Sequence, residues 1–308
     1  MLPKQPFFSI IVPAYNRPAE LGACLEALCR LDYPRNLFEV IVVDDGSKTP
    51  LQAMVSAFLD RLDVTLLTQT HSGPAAARNK GASQAIGKFL AFTDSDCMPT
   101  PNWLKTLACR LALNPDHAIG GRILNFLSEN SYSTTSQIIL DVVYAYYDSS
   151  NDQAPFFPSG NLAVPADQFR AIGGFDPTFT ISEDRDLCDR WLSHDFGMTY
   201  APEVLVFHNH PLTFYTFWRR YLNYGRGAFR FRQATARRGS RCFRVDHKFY
   251  ASLFRYPFSQ YGGKRALFLT VLLAITQMGN AMGFLWEGLS QVKRRLIHSP
   301  LFISFPAG

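Results

Sequence analysis

Two carboxylates one residue apart end an apolar run in Lys88-Phe89-Leu90-Ala91-Phe92-Thr93-Asp94-Ser95-Asp96-Cys97. The run has the unbroken hydrophobicity of a strand covered on both faces of a parallel sheet. Negative charge at the end of such a strand calls for a partner. A divalent cation carrying phosphate is the simplest one, because Mg2+ and Mn2+ prefer oxygen ligands and take one or two carboxylates plus substrate phosphates. On these residues alone, a solvated strand-to-helix turn with Thr100 capping the next helix explains the pair equally well. A second acidic pair, Glu183-Asp184, heads a predicted helix, where the dipole by itself favours acids. His208 and His210 end the last predicted strand. If that strand continues the two are expected to face apart, so one imidazole at most is expected at a shared metal.

Strands are predicted over 8–12, stopped by Pro13, over 38–43, ending in Asp44-Asp45-Gly46-Ser47, and over 64–68. The helices between them are marked by Asn16 as cap with Pro18 in the first turn, by Thr49-Pro50, by Gly73-Pro74 and by Thr100-Pro101. The second of these is predicted to bury Leu51, Met54, Val55, Phe58 and Leu59 on one face. Strand–helix alternation through the first third argues for an α/β sheet with right-handed crossovers. Ligands of such sheets bind beyond the carboxyl ends of the strands. Pro13-Ala14-Tyr15-Asn16, Asp44-Asp45, Thr70-His71-Ser72-Gly73 and Asp94-Ser95-Asp96 all belong to that edge. Neither a G-x-G-x-x-G nor a G-x-x-x-x-G-K-[ST] pattern occurs, so no dinucleotide fingerprint or P-loop is present. Further on, strands are predicted over 118–124 and 161–164, separated by a polar stretch at 128–136 and an aromatic one around Tyr144-Ala145-Tyr146-Tyr147. Phe175-Asp176-Pro177 reads as a turn and 204–208 as the last strand. A long helix from Thr213 has an aromatic face (Phe214, Phe217, Trp218, Tyr221) and a basic one.

The chain of 308 residues is 47% apolar and 18% charged, which excludes disorder. Its net charge of +6 is uneven: 218–265 holds thirteen Arg/Lys against Asp246, which leaves the remainder at −6. Such a block suits an anionic surface or substrate, and no nucleic-acid partner is expected. The six cysteines show no metal or disulfide spacing, and no apolar signal core precedes the first strand, so a catalytic domain in the cytoplasm is expected. Between the basic flanks Lys264-Arg265 and Lys293-Arg294-Arg295, the stretch 264–291 reaches spanning length only by including Gln277, Asn280 and Glu287. A helix or helical hairpin lying in the membrane interface is expected ahead of a true span or a helix packed on the protein itself. Gly279 and Gly283 have G-x-x-x-G spacing.

Taken together, the chain resembles a family 2 inverting glycosyltransferase of GT-A fold, membrane-associated and bacterial in type. The likeness rests on Phe8-Ser-Ile-Ile-Val-Pro-Ala-Tyr-Asn16, Phe38-Glu-Val-Ile-Val-Val-Asp-Asp-Gly-Ser47, Gly73-Pro-Ala-Ala-Ala-Arg-Asn79, Phe92-Thr-Asp-Ser-Asp96, Gly160-Asn161 with Gly173-Gly174-Phe175-Asp176, and Glu183-Asp184, in family order from about residue 7 to 210. It implies a mixed sheet flanked by helices over 1–211 and a basic, apolar helical region over 212–308, in association with an anionic membrane surface. It implies Asp45 accepting from a base, uracil being expected, with Pro13 and Tyr15 lining the base and ribose pocket. Arg78 reaches the nucleotide or its phosphates, and Gly73, Ser95, Gly160 and Asn161 complete the donor site. Asp96 binds Mn2+ or Mg2+ with Asp94 in support and His208 as a third ligand. Asp184 is the general base and Glu183 its orienter or an acceptor contact.

The Gln-x-x-Arg-Trp motif of processive synthases is absent, as are multiple transmembrane helices, so one sugar per encounter is expected. Arg219-Arg220 and Tyr224-Gly225-Arg226-Gly227 resemble a segment that touches diphosphate or an anionic lipid-linked acceptor, although a plain basic surface helix fits equally. The expected activity is transfer from a nucleotide-diphosphate sugar, UDP-linked by expectation, to a glycan or lipid-linked saccharide at the cytoplasmic face of a membrane. The rivals are nucleotidyl transfer to a sugar phosphate and a non-catalytic glycan-binding or scaffold relic of the fold.

Overall fold

The computed structural model describes residues 5–148, 156–239 and 247–297. The first four residues, Cys242 and the part of the basic block at 240–246 lie outside the described residues. The amino-terminal half runs β1 (Phe8–Ala14), α1 (Pro18–Cys29), β2 (Phe38–Asp44), α2 (Gln52–Ser56), β3 (Val64–Thr68), α3 (Pro74–Gln84), β4 (Phe89–Thr93), β5 (Cys97–Pro99), α4 (Trp103–Leu113) and β6 (His117–Asn125). It continues through α5 (Ser131–Asp148), β7 (Asn161–Pro165), α6 (Ala166–Ala171), α7 (Glu183–Ser193), β8 (Gly197–His208), α8 (Phe214–Arg238), α9 (His247–Gln260) and α10 (Gly263–Ile297).

Among the described residues eight strands form one mixed sheet in the order β3-β2-β1-β4-β7-β6-β8-β5. The β3-β2-β1-β4 half is parallel, and β7 joins it antiparallel. β1, β2 and β4 are covered on both faces, which is why their sequences lack polar alternation. One face packs Leu21, Leu25, Trp103 and Leu107. The other packs Ala77, Phe169, Phe175 and Trp191.

Several local expectations are overturned. Asn16 does not cap α1. It adopts a left-handed backbone with φ 54°, and its side chain accepts from the Lys48 amide. The N-cap position falls on Arg17, without a side-chain cap. α2 is short, and Leu59 is 58% exposed. Thr100 is not the α4 cap either: Asn102 holds that position, and the Thr100 hydroxyl is taken by Asn102 Oδ1 and the Leu205 carbonyl. The polar stretch at 128–136 opens α5. Its hydroxyls bond back to carbonyls of their own turn, Thr135 to Ser131 and Ser136 to Tyr132, so side chains typical of loops sit in a helix.

The long α8 begins with a capping box between Thr213 and Thr216. The stretch 264–291 is one continuous helix, not a hairpin. By length and composition its 31 residues Gly263–Lys293 could cross a membrane. Its G-x-x-x-G face is used within the chain: a Cβ on Gly283 would fall 1.9 Å from the Leu222 carbonyl, and one on Gly225 2.0 Å from that of Asn280. Only glycines let α8 and α10 approach so closely. Glu287, 1% exposed, is held by Arg226 Nε at 3.0 Å and Arg230 Nε at 2.8 Å. Two cations of the basic block thus neutralise a buried acid instead of facing an anionic surface. The opposite side of α10 stays apolar and exposed at Leu267, Phe268, Met278, Leu285 and Trp286.

Candidate active site

The carboxyl ends of β1, β2 and β4 open onto one cavity of about 1470 Å3, together with the start of α7 and the inner side of α8. Pro13, Tyr15, Asp45, Arg78, Asp94, Ser95, Asp96, Gly160, Glu183, Asp184 and His208 of the expected site residues all line it.

On the base side, Tyr15 stacks on His71 with ring centroids 4.1 Å apart. Asp45 is buried, and its Oδ1 accepts from Gln69 Nε2 at 2.7 Å and the Ser72 amide at 2.8 Å. Its Oδ2 accepts from the Gly73 amide at 2.9 Å and lies 2.9 Å from His71 Nδ1. Gly73 has φ 91°, which turns its N–H toward that oxygen. The carboxylate therefore builds the loop ahead of α3, and its four acceptor sites are occupied. His71, 55% exposed, is the partner that a base could replace.

At the end of β4, Asp96 is buried where Arg17, His208 and His210 meet. His210 Nδ1 lies 2.9 Å from its Oδ2, His208 Nε2 lies 3.4 Å from its Oδ1, and Arg17 donates to Oδ2. The expectation that the two histidines face apart is overturned: residues two apart in an extended chain share a face, and both imidazoles reach Asp96. The Asn209 amide between them donates to the Asp96 carbonyl at 2.8 Å, and His210 lies beside His208, rings 5.1 Å apart. β5 makes this possible by pairing antiparallel with β8, Cys97 opposite His208. Burial would raise the Asp96 carboxyl, but the bonds from His208 and His210 and the Arg17 charge outweigh it and hold it well below the usual carboxylate range. Burial pushes the His210 imidazole down to about 4, against the pull of Asp96, so the ring is neutral. An ionised carboxylate and two imidazoles, with donor atoms within 4.8 Å of one another, fit a divalent metal. Asp94 and Cys97 form a second such group with Asp96.

Arg78 is fully enclosed and joins this site to α7: Nη2 donates to Asp94 at 2.6 Å and Nη1 to Glu183 at 2.9 Å, over the ring of Phe175. It is a tie between carboxylates, neither the solvated side chain of a lone helical arginine nor a free phosphate ligand. Gly160 lies close beside it, where a Cβ would crowd Asp94 Oδ2 at 3.0 Å. Asn161 is the clear departure. Its side chain accepts from Trp103 Nε1 and donates to the carbonyls of Arg122 and Val204, and it does not line the cavity. It braces the sheet behind the cavity.

Asp184 opens α7 after Ser182, which is held left-handed at φ 72° against Gly227 of α8. Burial, reinforced by the neighbouring Glu183 charge, pushes the Asp184 carboxyl up to about 6. A carboxylate so raised is a competent proton acceptor near neutrality. Arg17, His71 and His210 line the same cavity and are not among the expected site residues, whereas Arg220, expected at diphosphate or an anionic acceptor, lines it too. His71 lies within a strand-edge cluster named from topology and Arg17 directly follows another, which is the signal that could have found them.

Residues 9–172, just over half of the chain, match the profile described as "Glycosyl transferase family 2". The chain is 30% identical over 214 residues to the pre-mycofactocin glycosyltransferase of Mycobacterium tuberculosis H37Rv, covering 66% of this chain and 42% of that one. To glycosyltransferase AglE of Haloferax volcanii it is 28% identical over 206 residues, covering 66% and 67%. It thus spans between about two fifths and two thirds of these relatives' own length. Among solved structures, a mannosyltransferase from Pyrobaculum calidifontis in complex with GDP-Man and Mn2+ superposes with a TM-score of 0.63 at 16% identity, over 96% of this chain and 89% of that one. Staphylococcus aureus TarS 1-349 in complex with UDP-GlcNAc gives 0.56 at 16%, over 94% and 92%.

Proposed function

The chain belongs to glycosyl transferase family 2, and on that premise we propose a metal-dependent, inverting transferase that moves a sugar from a nucleotide-diphosphate sugar, in our reading a UDP-sugar, to a hydroxyl of a glycan or lipid-linked saccharide acceptor at the cytoplasmic face of a membrane. Its fold is GT-A, with the helical region from residue 212 as a second part. The observation that carries the reading is the pairing, in one cavity, of a carboxylate raised to about 6 at Asp184 with the buried Asp96–His208–His210 cluster.

Inversion needs one base. Asp184 takes the proton of the acceptor hydroxyl as its oxygen attacks the anomeric carbon opposite the leaving group, and the bond from that carbon to the diphosphate breaks. Glu183, fixed by Arg78, holds the start of α7 and orients the base. Asp96, His208 and His210, with Asp94 in support, would hold Mn2+ or Mg2+, whose chemistry is to stabilise charge on the departing nucleotide diphosphate. Arg17, 42% exposed, is the cation on Asp96 that yields and turns to phosphate, and Arg220 faces the same space. Tyr15 and His71 offer a stacking surface for the base. The neighbours that hold GDP-Man with Mn2+ and UDP-GlcNAc support a nucleotide-sugar donor.

The test is a thermal-shift panel of nucleotide sugars with Mn2+ and with EDTA, followed by donor hydrolysis. Stabilisation by UDP-sugars that EDTA removes, together with slow hydrolysis, is expected. Binding without any turnover on supplied acceptors or water would favour a non-catalytic relic, and metal-independent binding would remove the cation from the reading.

A further inference from the structure

The cavity is larger than a donor requires. Pockets that enclose a single small ligand run to about 1,000 Å3 at most, and this one reaches about 1470 Å3. Away from the strand edge, between α5, α8 and α10, it is lined by Leu140, Val143, Ala228, Phe231, Ala281 and Phe284, beside the amides of Gln137, Gln277 and Asn280. None of these six side chains can hydrogen-bond, so an aliphatic chain laid along them leaves no polar group unpaired, whereas a carbohydrate there would depend on the few amides alone. The chamber is continuous with Asp184. Its α10 wall is one side of the helix whose other side is exposed and apolar at Met278, Leu285 and Trp286. An exposed apolar face of that extent marks a membrane or partner surface.

Building on the glycosyltransferase reading above, we propose that the acceptor is an amphiphile: its polar head presents the reacting hydroxyl to Asp184, and its aliphatic chain lies in the chamber between α5, α8 and α10. The outer face of α10 rests on the membrane that supplies it. A water-soluble glycan, which would use only the polar mouth, is the competing occupant.

Titration of the full chain, with UDP and Mn2+ present, with n-alkyl β-D-glucosides from methyl to octyl below their micelle concentrations tests this. Affinity is expected to rise about fourfold per methylene as the chain enters the chamber. A flat profile overturns the proposal. In Ala281→Trp and Ala228→Phe, which fill the chamber, the chain-length dependence should vanish. Mn2+-dependent UDP binding on the same samples reports that the donor half is folded. If the dependence survives in both variants, the outer face of α10 binds the chain and the proposal falls. If wild type shows the chain-length dependence but no metal-dependent UDP binding, the donor reading is what fails, and the chamber stands as an aliphatic-chain site.

Discussion

Two carboxylates face the same cavity and are driven in opposite directions. At the end of β4, Asp96 has two imidazoles and the Arg17 charge on it and stays ionised to low pH. At the start of α7, Asp184 has burial and a like charge beside it and is raised to about 6. Residue type is identical, so the environments assign the roles: the first suits a permanent anion that holds a cation, the second a group that gains and loses a proton. Arg78 lies between the regions and keeps both acidic neighbours, Asp94 and Glu183, compatible with folding.

The contrast can be broken most severely at the base. Asp184→Asn should lower kcat by about a thousandfold, within the range general-base removal produces, while UDP affinity measured by titration stays at wild type; transfer at the wild-type rate would dismiss the assignment. Asp96→Ala should abolish the part of UDP affinity that depends on Mn2+, and His210→Ala should weaken it by about ten- to a hundredfold, as loss of a group supporting a metal does. Equal affinities with and without EDTA in wild type would remove the distinction altogether. The pH profile sharpens it. Only the ionised Asp184 accepts a proton, so kcat/KM should fall about tenfold per pH unit below about 6 and level off above it. The smallest effect on activity belongs to Arg78→Met. The Arg78 charge lowers the Asp184 carboxyl, so its loss should move the midpoint upward. The same change leaves two carboxylates facing each other without their cation and should cost about 3 kcal/mol of stability in chemical denaturation.

How much of this was legible in sequence differs between the two regions. β1, β2 and β4 are unbroken apolar runs ending in polar clusters, and local composition suffices to find them and to place Asp94 and Asp96 at their edge. β5 is three residues long and exists because β8 pairs with it. Nothing local announces it, and without it the approach of His210 to Asp96 is invisible. Asn161 fails for the converse reason: its place in a motif suggested a ligand contact, but three buried partners 39 to 58 residues away consume its amide. Likewise Arg78 was legible as a site residue from its motif, whereas its role as a tie depends on Glu183, 105 positions on. The raised carboxyl of Asp184 is a property of enclosure by α7 and its neighbours that no spacing rule encodes.

The Glu287 clasp has a practical consequence. A common way to make a protein with an exposed apolar helix tractable is to cut that helix away. Here a chain shortened before Gly263 would strip the partner from Arg226 and Arg230 and uncover the glycine seam of α8. That seam backs Ser182 through Gly227, and hence the start of α7 that carries Asp184. Solubility should instead be engineered by recolouring the outward stripe, with polar residues at Met278, Leu285 and Trp286, leaving the helix in place.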